Sequence, residues 1–228
     1  MRAGSPYKSL AELPKGSIVG TSSVRRSAQL LKNYPHLQFK SVRGNIHTRL
    51  RKLDDADSDY SCLILAAAGL IRVDLGHRIT ECLNADTMYH AVGQGALGVE
   101  IRKNDPIVSK ICQVLRDEES TVCCLAERSL LRFLEGGCSV PVGVSNSFDV
   151  ERRTLNMTAI VLSPDGKQYV DSVLNRVVAN DADAERFGEE LGNMLIQKGA
   201  KKILDEINYD KIQEVKSHGL KNDDQKIA

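Results

Sequence analysis

The chain has 228 residues, 42% apolar and 27% charged, the balance of an ordinary globular protein long enough to bury a core. Its 31 basic and 30 acidic residues leave a formal charge of +1, which excludes a uniformly basic nucleic-acid binder and a solvated acidic tail. No apolar run approaches the roughly 18 residues of a spanning helix, and Met1 to Pro6 lacks the apolar core of a secretion signal.

In chain order, Ser17 to Gly20 reads as a short strand, Thr21-Ser22-Ser23 as a capping turn and Val24 to Leu31 as a helix. Gln38 to Val42 is a second strand. A helix follows from about Ile46 to Leu53, with Ile46, Leu50 and Leu53 on one face. Ser61 to Ala66 is a third strand, apolar enough to be buried on both faces of a parallel sheet. This spacing predicts a βαβαβ unit.

Glycines punctuate Tyr89 to Arg102, whose end at 96–101 reads as a strand. Helices are expected over Ile107 to Leu115 and Glu119 to Leu134, the second ended by Gly136-Gly137. Strands are expected over Val140–Ser147, Leu155–Leu162 and Gln168–Val177, the last two joined at Ser163-Pro164-Asp165-Gly166. Helices over Ala184–Gln197 and Ala200–Ile207 complete an α+β part. The fold class is therefore α/β followed by a small α+β domain.

The near-neutral total hides an asymmetry. Residues 1–53 hold eleven basic residues against Glu12 alone, a net +10, and residues 54–228 carry −9. A segment charged in this way is expected to meet an anion.

Four motifs could do so. Gly20-Thr21-Ser22-Ser23-Val24-Arg25-Arg26 brings hydroxyls, helix N–H groups and two guanidiniums to one strand end. Helix capping alone explains the hydroxyls equally well. Arg43-Gly44-Asn45, with Arg49 on the following helix, repeats the arrangement at the second strand. Strand ends of an open parallel sheet line one crevice, so the two loops share it. Ala66 to Arg72 follows the third strand, where its small residues serve either ligand approach or helix–sheet packing. Finally, Cys138 follows two glycines on an uncrowded loop, the setting of an accessible thiol, although a lone cysteine is more often structural.

The six cysteines include no C-x-x-C pair, and the five histidines show no ligand spacing. Free thiols, no metal site and a reducing, cytoplasmic compartment are the expectation.

Taken in order, VGTSSVRRSAQL, VRGNIHTRLRKLD, ILAAAGLIR, AVGQGALGVEIR, LAERSLLRFLEGGCSVPVG and LIQKGAKKIL resemble the porphobilinogen deaminase family between residue 13 and about residue 207. The resemblance implies a transferase of haem and tetrapyrrole biosynthesis. It joins four porphobilinogen molecules head to tail into hydroxymethylbilane, releasing ammonia. It also implies a dipyrromethane cofactor held by a thioether to Cys138. Thr21, Ser22, Ser23, Arg25, Arg26, Arg43, Gly44, Arg49, Arg72 and Gln94 then fall on the positions that bind pyrrole acetate and propionate arms.

The implied architecture is periplasmic-binding-protein-like. Residues 1–90 are a second α/β domain, 91–117 a crossover belonging to a truncated first domain, and 118–228 a C-terminal domain carrying the cysteine. The family's catalytic aspartate matches no position here, so no catalytic residue is assigned and a fragment with little turnover is expected. Asp54, Asp55, Asp57 and Asp59 are not promoted to that role. The 96–101 strand is expected to lose its sheet and expose an apolar edge. A monomer that acts on a small molecule, without nucleic acid or membrane, completes the expectation. The alternative is a periplasmic-type module that binds a carboxylate without chemistry, and fold alone does not separate the two.

Overall fold

A computed structural model describes residues 1–134 and 140–207. The first part is a three-stranded parallel sheet: β1 (Ile18–Gly20), β2 (Gln38–Lys40) and β3 (Tyr60–Leu63), in the order β2-β1-β3. The crossovers are α1 (Val24–Asn33) and α2 (Ile46–Asp54), so the βαβαβ reading holds. Ile18 pairs with Gln38 on one side and with Tyr60 on the other, and the strands run parallel. Val19, Leu30, Leu37 and Cys62 pack with Leu10 and Leu13 of the N-terminal segment into one core. Leu50, Leu53 and Leu70 form another behind β3.

Two stretches differ from expectation. Residues 67–72 form a helix, α3 (Ala67–Arg72), where the sequence pattern predicts no regular element. Residues 96–101 form no strand. Leu97 is 86% exposed and Val99 61%, because no described neighbour offers an edge for pairing. A strand is stable only against a partner, so alternation in the sequence does not suffice there. Beyond it, α4 (Pro106–Cys112) leaves Ile107 and Ile111 exposed as well.

The second part is α5 (Glu118–Phe133), an antiparallel sheet of β4 (Val142–Asp149), β5 (Thr154–Leu162) and β6 (Tyr169–Val177) in that order, then α6 (Asp181–Gln197) and α7 (Ala200–Asp205). Helix α5 starts at Asp117, whose carboxylate accepts the Ser120 N–H at 2.8 Å. On β5 the side chains alternate: Leu155, Met157, Ala159 and Val161 enter the core with α5 and α6. Ile160 and Leu162 meet Ala28 of α1 on the opposite face. The Ser163–Gly166 turn therefore rests on α1. Gly166, at φ +71°, sits where a Cβ would come within 2.4 Å of the Ala28 carbonyl oxygen.

A strap of residues 89–94 joins the two parts. His90 and Val144 exchange backbone hydrogen bonds of 2.8 and 2.9 Å. The side chain of Gln29, 4% exposed, accepts the Tyr89 N–H at 2.7 Å and donates to the Tyr89 carbonyl at 3.2 Å. The Gly136–Gly137 helix stop and Cys138 lie outside the described residues.

Candidate functional site

The site is built where β1 and β2 end side by side. Three hydroxyls organise the first loop. Thr21 Oγ1 accepts the Ser23 N–H at 3.2 Å, and Ser23 Oγ caps α1 by accepting the Arg26 N–H at 3.4 Å. Ser22 Oγ donates to the Val42 carbonyl at 2.7 Å and lies 3.0 Å from Ser41 Oγ. The hydroxyls thus cap the helix and tie loop one to loop two. In the second loop Gly44 takes φ +110°, a conformation that disfavours side chains. That turn places Asn45 to cap α2 through the Thr48 N–H at 2.8 Å, and places the Gly44 carbonyl to accept Arg49 Nε at 2.7 Å.

The arginines divide into two kinds. Arg25 is 8% exposed and turns to the strap: it donates to the Tyr89 carbonyl and, at 3.1 Å, to Gln94 Oε1. Burial, then the neighbouring Arg26 guanidinium, lowers its pKa to about 10. Arg26 points to the third strand and donates to the Ile64 carbonyl at 2.8 Å. Its pKa is lowered too, by burial first and by Arg49 second, so these two cations are neighbours. The Nε groups of Arg26 and Arg43 are both buried without a hydrogen-bond partner.

Among the described residues, Arg25, Arg26 and Arg49 are oriented by carbonyls and an amide, never by a carboxylate. Elsewhere several arginines are neutralised, among them Arg116 by Asp181 at 2.5 Å, and Arg176 by Asp183 and Glu190 at 3.0 Å. A buried N–H without an acceptor is costly, and two such groups on adjacent loops mark a place for an anion.

A cavity of about 190 Å³ adjoins Arg26, while Arg25, Arg43 and Arg49 stay outside its lining. Arg26, His90 and Gln94 border it on the polar side, and Leu50, Leu63 and Leu70 are among its apolar walls. It suits a flat apolar body carrying carboxylates. The orphaned Arg26 Nε–H beside that apolar wall, with the orphaned Arg43 Nε–H on the next loop, also fits a dipyrromethane, whose rings and acidic arms need both surfaces.

The structure therefore brings Thr21, Ser22, Ser23, Arg26, Arg43, Gly44 and Arg49 together. Of these only Arg26 lines the cavity, which Gln94 also borders, and Arg25 serves the strap. Arg72 is exposed at the far end of α3, about 9 Å from its start at 1.5 Å per residue, and is not drawn in. Two of the acids set aside in the sequence are engaged elsewhere, Asp54 with Arg78 at 2.9 Å and Asp59 with Lys40 at 2.8 Å.

Sequence reasoning missed Gln29 and Glu127. Glu127 lies on α5, 7% exposed, and accepts the Gly93 N–H and Asn146 Nδ2. Burial raises its pKa, against the lowering effect of those two hydrogen bonds. The signal was present: an acid in register with Cys123 and Leu130 interrupts an otherwise apolar helix face.

Two family models match the chain. "Porphobilinogen deaminase, dipyromethane cofactor binding domain" covers residues 3–110 and "Porphobilinogen deaminase, C-terminal domain" covers residues 121–197. A porphobilinogen deaminase of Candida albicans is 57% identical over 208 residues, which is 91% of this chain and 61% of that protein. The Saccharomyces cerevisiae protein of the same name is 55% identical over 210 residues, 92% of this chain and 64% of its own. That of Debaryomyces hansenii is 55% identical over 212 residues, 93% and 59%. The chain thus spans about three-fifths of the length of these relatives. No described helix is long and apolar enough to cross a membrane. Two matched domains in the family's order, on a fold that places the unneutralised Arg26 beside a largely apolar cavity, lead to one assignment: the chain belongs to the porphobilinogen deaminase family.

Proposed function

We propose that this chain is the carboxylate-binding and cofactor-carrying part of an enzyme that condenses four porphobilinogen molecules into hydroxymethylbilane with release of ammonia. The observation that carries the reading is the pair of buried, unpartnered guanidinium Nε groups of Arg26 and Arg43. Each pyrrole ring brings an acetate and a propionate, so a growing chain multiplies carboxylates. Arginine stays protonated beside them and offers planar, two-point contact.

Arg26, Arg43 and Arg49 would hold the acidic arms, and the apolar wall would receive the ring. Ser22 keeps the two loops at a fixed spacing, so the cations need little rearrangement when a carboxylate arrives. Cys138 would carry the thioether. Leu134, four residues earlier in the chain and 4% exposed, closes helix α5. When bound, a dipyrromethane supplies the anchored pyrrole end to which further rings are joined. Glu81 borders the cavity and accepts the Leu10 N–H at 3.3 Å, and the reading assigns no catalytic acid to these residues. The reading includes a cytoplasmic monomer acting on a small molecule rather than on nucleic acid or a membrane.

Calorimetric titration of the 228-residue chain with porphobilinogen tests it. Arg26→Ala and Arg43→Ala should each weaken binding about tenfold or more, which is ~1.4 kcal/mol. No binding by the parent chain, or equal affinity in all three proteins, refutes the reading.

A further inference from the structure

We infer that His90 is a ligand-contacting residue of the cavity, a neutral hydrogen-bond donor for a carboxylate oxygen held beside Arg26. The inference rests on the carboxylate-binding reading of the site. His90 borders the cavity together with Arg26 and Gln94. It is exposed, so a ligand reaches it without displacing a core side chain.

The backbone under this ring is held more firmly than a surface loop requires. His90 donates its N–H to the Val144 carbonyl at 2.8 Å and accepts the Val144 N–H at 2.9 Å, so both of its backbone groups are paired with β4. The preceding residue is gripped from the other side. Gln29 on α1, 4% exposed, accepts the Tyr89 N–H at 2.7 Å and donates to the Tyr89 carbonyl at 3.2 Å. Strand β4 leaves room for that grip at Gly143, where a Cβ would come within 2.9 Å of Tyr89 Cβ and 3.0 Å of Gln29 Nε2. Arg26 lies on α1 three residues before Gln29, so the guanidinium and the imidazole are mounted on one frame. Supported in this way, a side chain is pre-organised for a ligand.

The neighbouring amide identifies which ring nitrogen carries the proton. Gln94 Oε1 accepts Arg25 Nη2 at 3.1 Å and the Ala91 N–H at 3.3 Å, two groups that can only donate. The atom 3.4 Å from His90 Nδ1 is then Gln94 Nε2, which has no lone pair to offer. Nδ1 must accept, and the proton of the neutral imidazole is left on Nε2. A proton on Nδ1 as well would set two N–H groups against each other. Among the described residues Nε2 has no hydrogen-bond partner. Arg26 supplies the attraction for an anion, and Nε2–H adds direction by taking one of its lone pairs.

Porphobilinogen titration of the 228-residue chain tests the contact with two substitutions. Glutamine carries its amide nitrogen about as far from the backbone as Nε2 and keeps the donor, whereas phenylalanine keeps a ring and removes both nitrogens. His90→Phe should bind about tenfold more weakly than the parent, and His90→Gln within about threefold of it. The bonds to Val144 are main-chain, so both variants should melt as the parent does. Parent-like affinity in His90→Phe overturns the inference. So does equal weakening in both variants, the pattern expected if only the lost Nδ1 contact to Gln94 matters.

Long-range nitrogen–proton correlation spectra read the tautomer without ligand, the His90 signals being those lost in His90→Gln. At a pH of about 8.5, ~2 above an ordinary imidazole pKa, the parent should carry the His90 proton on Nε2. Gln94→Glu sets a carboxylate oxygen against Nδ1 and should move the proton there. A parent protonated on Nδ1, or a tautomer that Gln94→Glu does not move, overturns the inference. The two readings fail differently. A parent chain that does not bind porphobilinogen removes the carboxylate-binding reading and this contact with it. Parent-like binding by Arg26→Ala removes that cation alone, and the His90→Phe titration still decides whether His90 meets the ligand.

Discussion

The contact between α5 and α6 is where the second part is least tolerant, and two glycines one helical turn apart show why. A Cβ at Gly188 would lie 2.2 Å from the Ala126 carbonyl oxygen and 2.7 Å from the Leu130 nitrogen, both backbone atoms of α5. A Cβ at Gly192 would lie 2.5 Å from Cδ1 of Phe133, a side chain that is 38% exposed. Alanine gains about 1 kcal/mol of helix propensity over glycine at either place. At Gly188 that gain is overcome. Ordinary contact begins near 3.4 Å, so the helices must part by roughly 1 Å. Leu130, Phe187 and Leu191, all fully buried, then lose packing. Overpacking costs ~1–3 kcal/mol, and a clash with rigid backbone falls in the upper part of that range, ~2–3 kcal/mol, so after the helix gain Gly188→Ala is about 1–2 kcal/mol less stable than the parent. At Gly192 the ring swings toward solvent, so Gly192→Ala should fall within ~0.5 kcal/mol of the parent. Urea unfolding followed by far-UV circular dichroism measures both. With a slope of ~2 kcal/mol per molar, the Gly188→Ala midpoint should drop by about 0.5–1 M and the Gly192→Ala midpoint should stay put. Equal shifts, or a Gly188→Ala chain as stable as the parent, would refute the argument that backbone rather than side chain blocks the site.

The remaining predictions concern thiols and protons. Intact mass of the chain incubated with porphobilinogen should show a pyrrole adduct that is absent from Cys138→Ser; an adduct that survives the substitution places the tether elsewhere. Alkylation at neutral pH should reach exposed Cys82 first, while Cys62 and Cys123, pushed by burial to about 11 and about 12, resist; equal rates would contradict their burial. Burial raises the Glu127 pKa above its ordinary 4.5, so the native state holds more protons than the unfolded chain between those values. Stability relative to Glu127→Gln should therefore rise as the pH falls from neutral toward 4.5; a flat or opposite difference in urea midpoints sinks the assignment.

Most of the architecture was legible because it rests on local patterns. Strand β1, the Ser23 cap and the amphipathic α1 announce themselves within sixteen residues, Ile18 to Asn33. Helix α3 did not, because Ala67-Ala68-Gly69 carries no apolar periodicity and the helix is only six residues long. The 96–101 strand was legible as a pattern and is not formed, since a strand's stability belongs to its neighbour. The same limit governs the site. Arg25 and Arg26 are indistinguishable in the sequence, yet adjacent residues on a helix do not face the same way. One guanidinium therefore reaches the strap and the other the end of the third strand. Glu127 and its partners Gly93 and Asn146 are separated by 34 and 19 residues, so no local pattern joins them.

The two halves of the charge distribution are held by different chemistry. In the acidic half, Arg116, Arg153 and Arg176 pair with Asp181, Glu118 and Asp183, so those cations are neutralised where they stand. In the basic half, Arg25, Arg26 and Arg49 are fixed by neutral acceptors: Tyr89, Ile64 and Gly44 carbonyls and the Gln94 amide. A carbonyl orients a guanidinium without cancelling its charge. Burying such a cation costs solvation that a carboxylate partner would have offset. The cost appears as the lowered pKa of Arg25 and Arg26. The fold accepts it at the ends of two adjacent strands, where the contacts of Arg25, Arg26 and Arg49 are all to neutral acceptors. Cations kept in that condition retain their attraction for a carboxylate that arrives, whereas cations already bound to aspartate have none to spare. The proposed anion site rests on this contrast rather than on the net charge of +1.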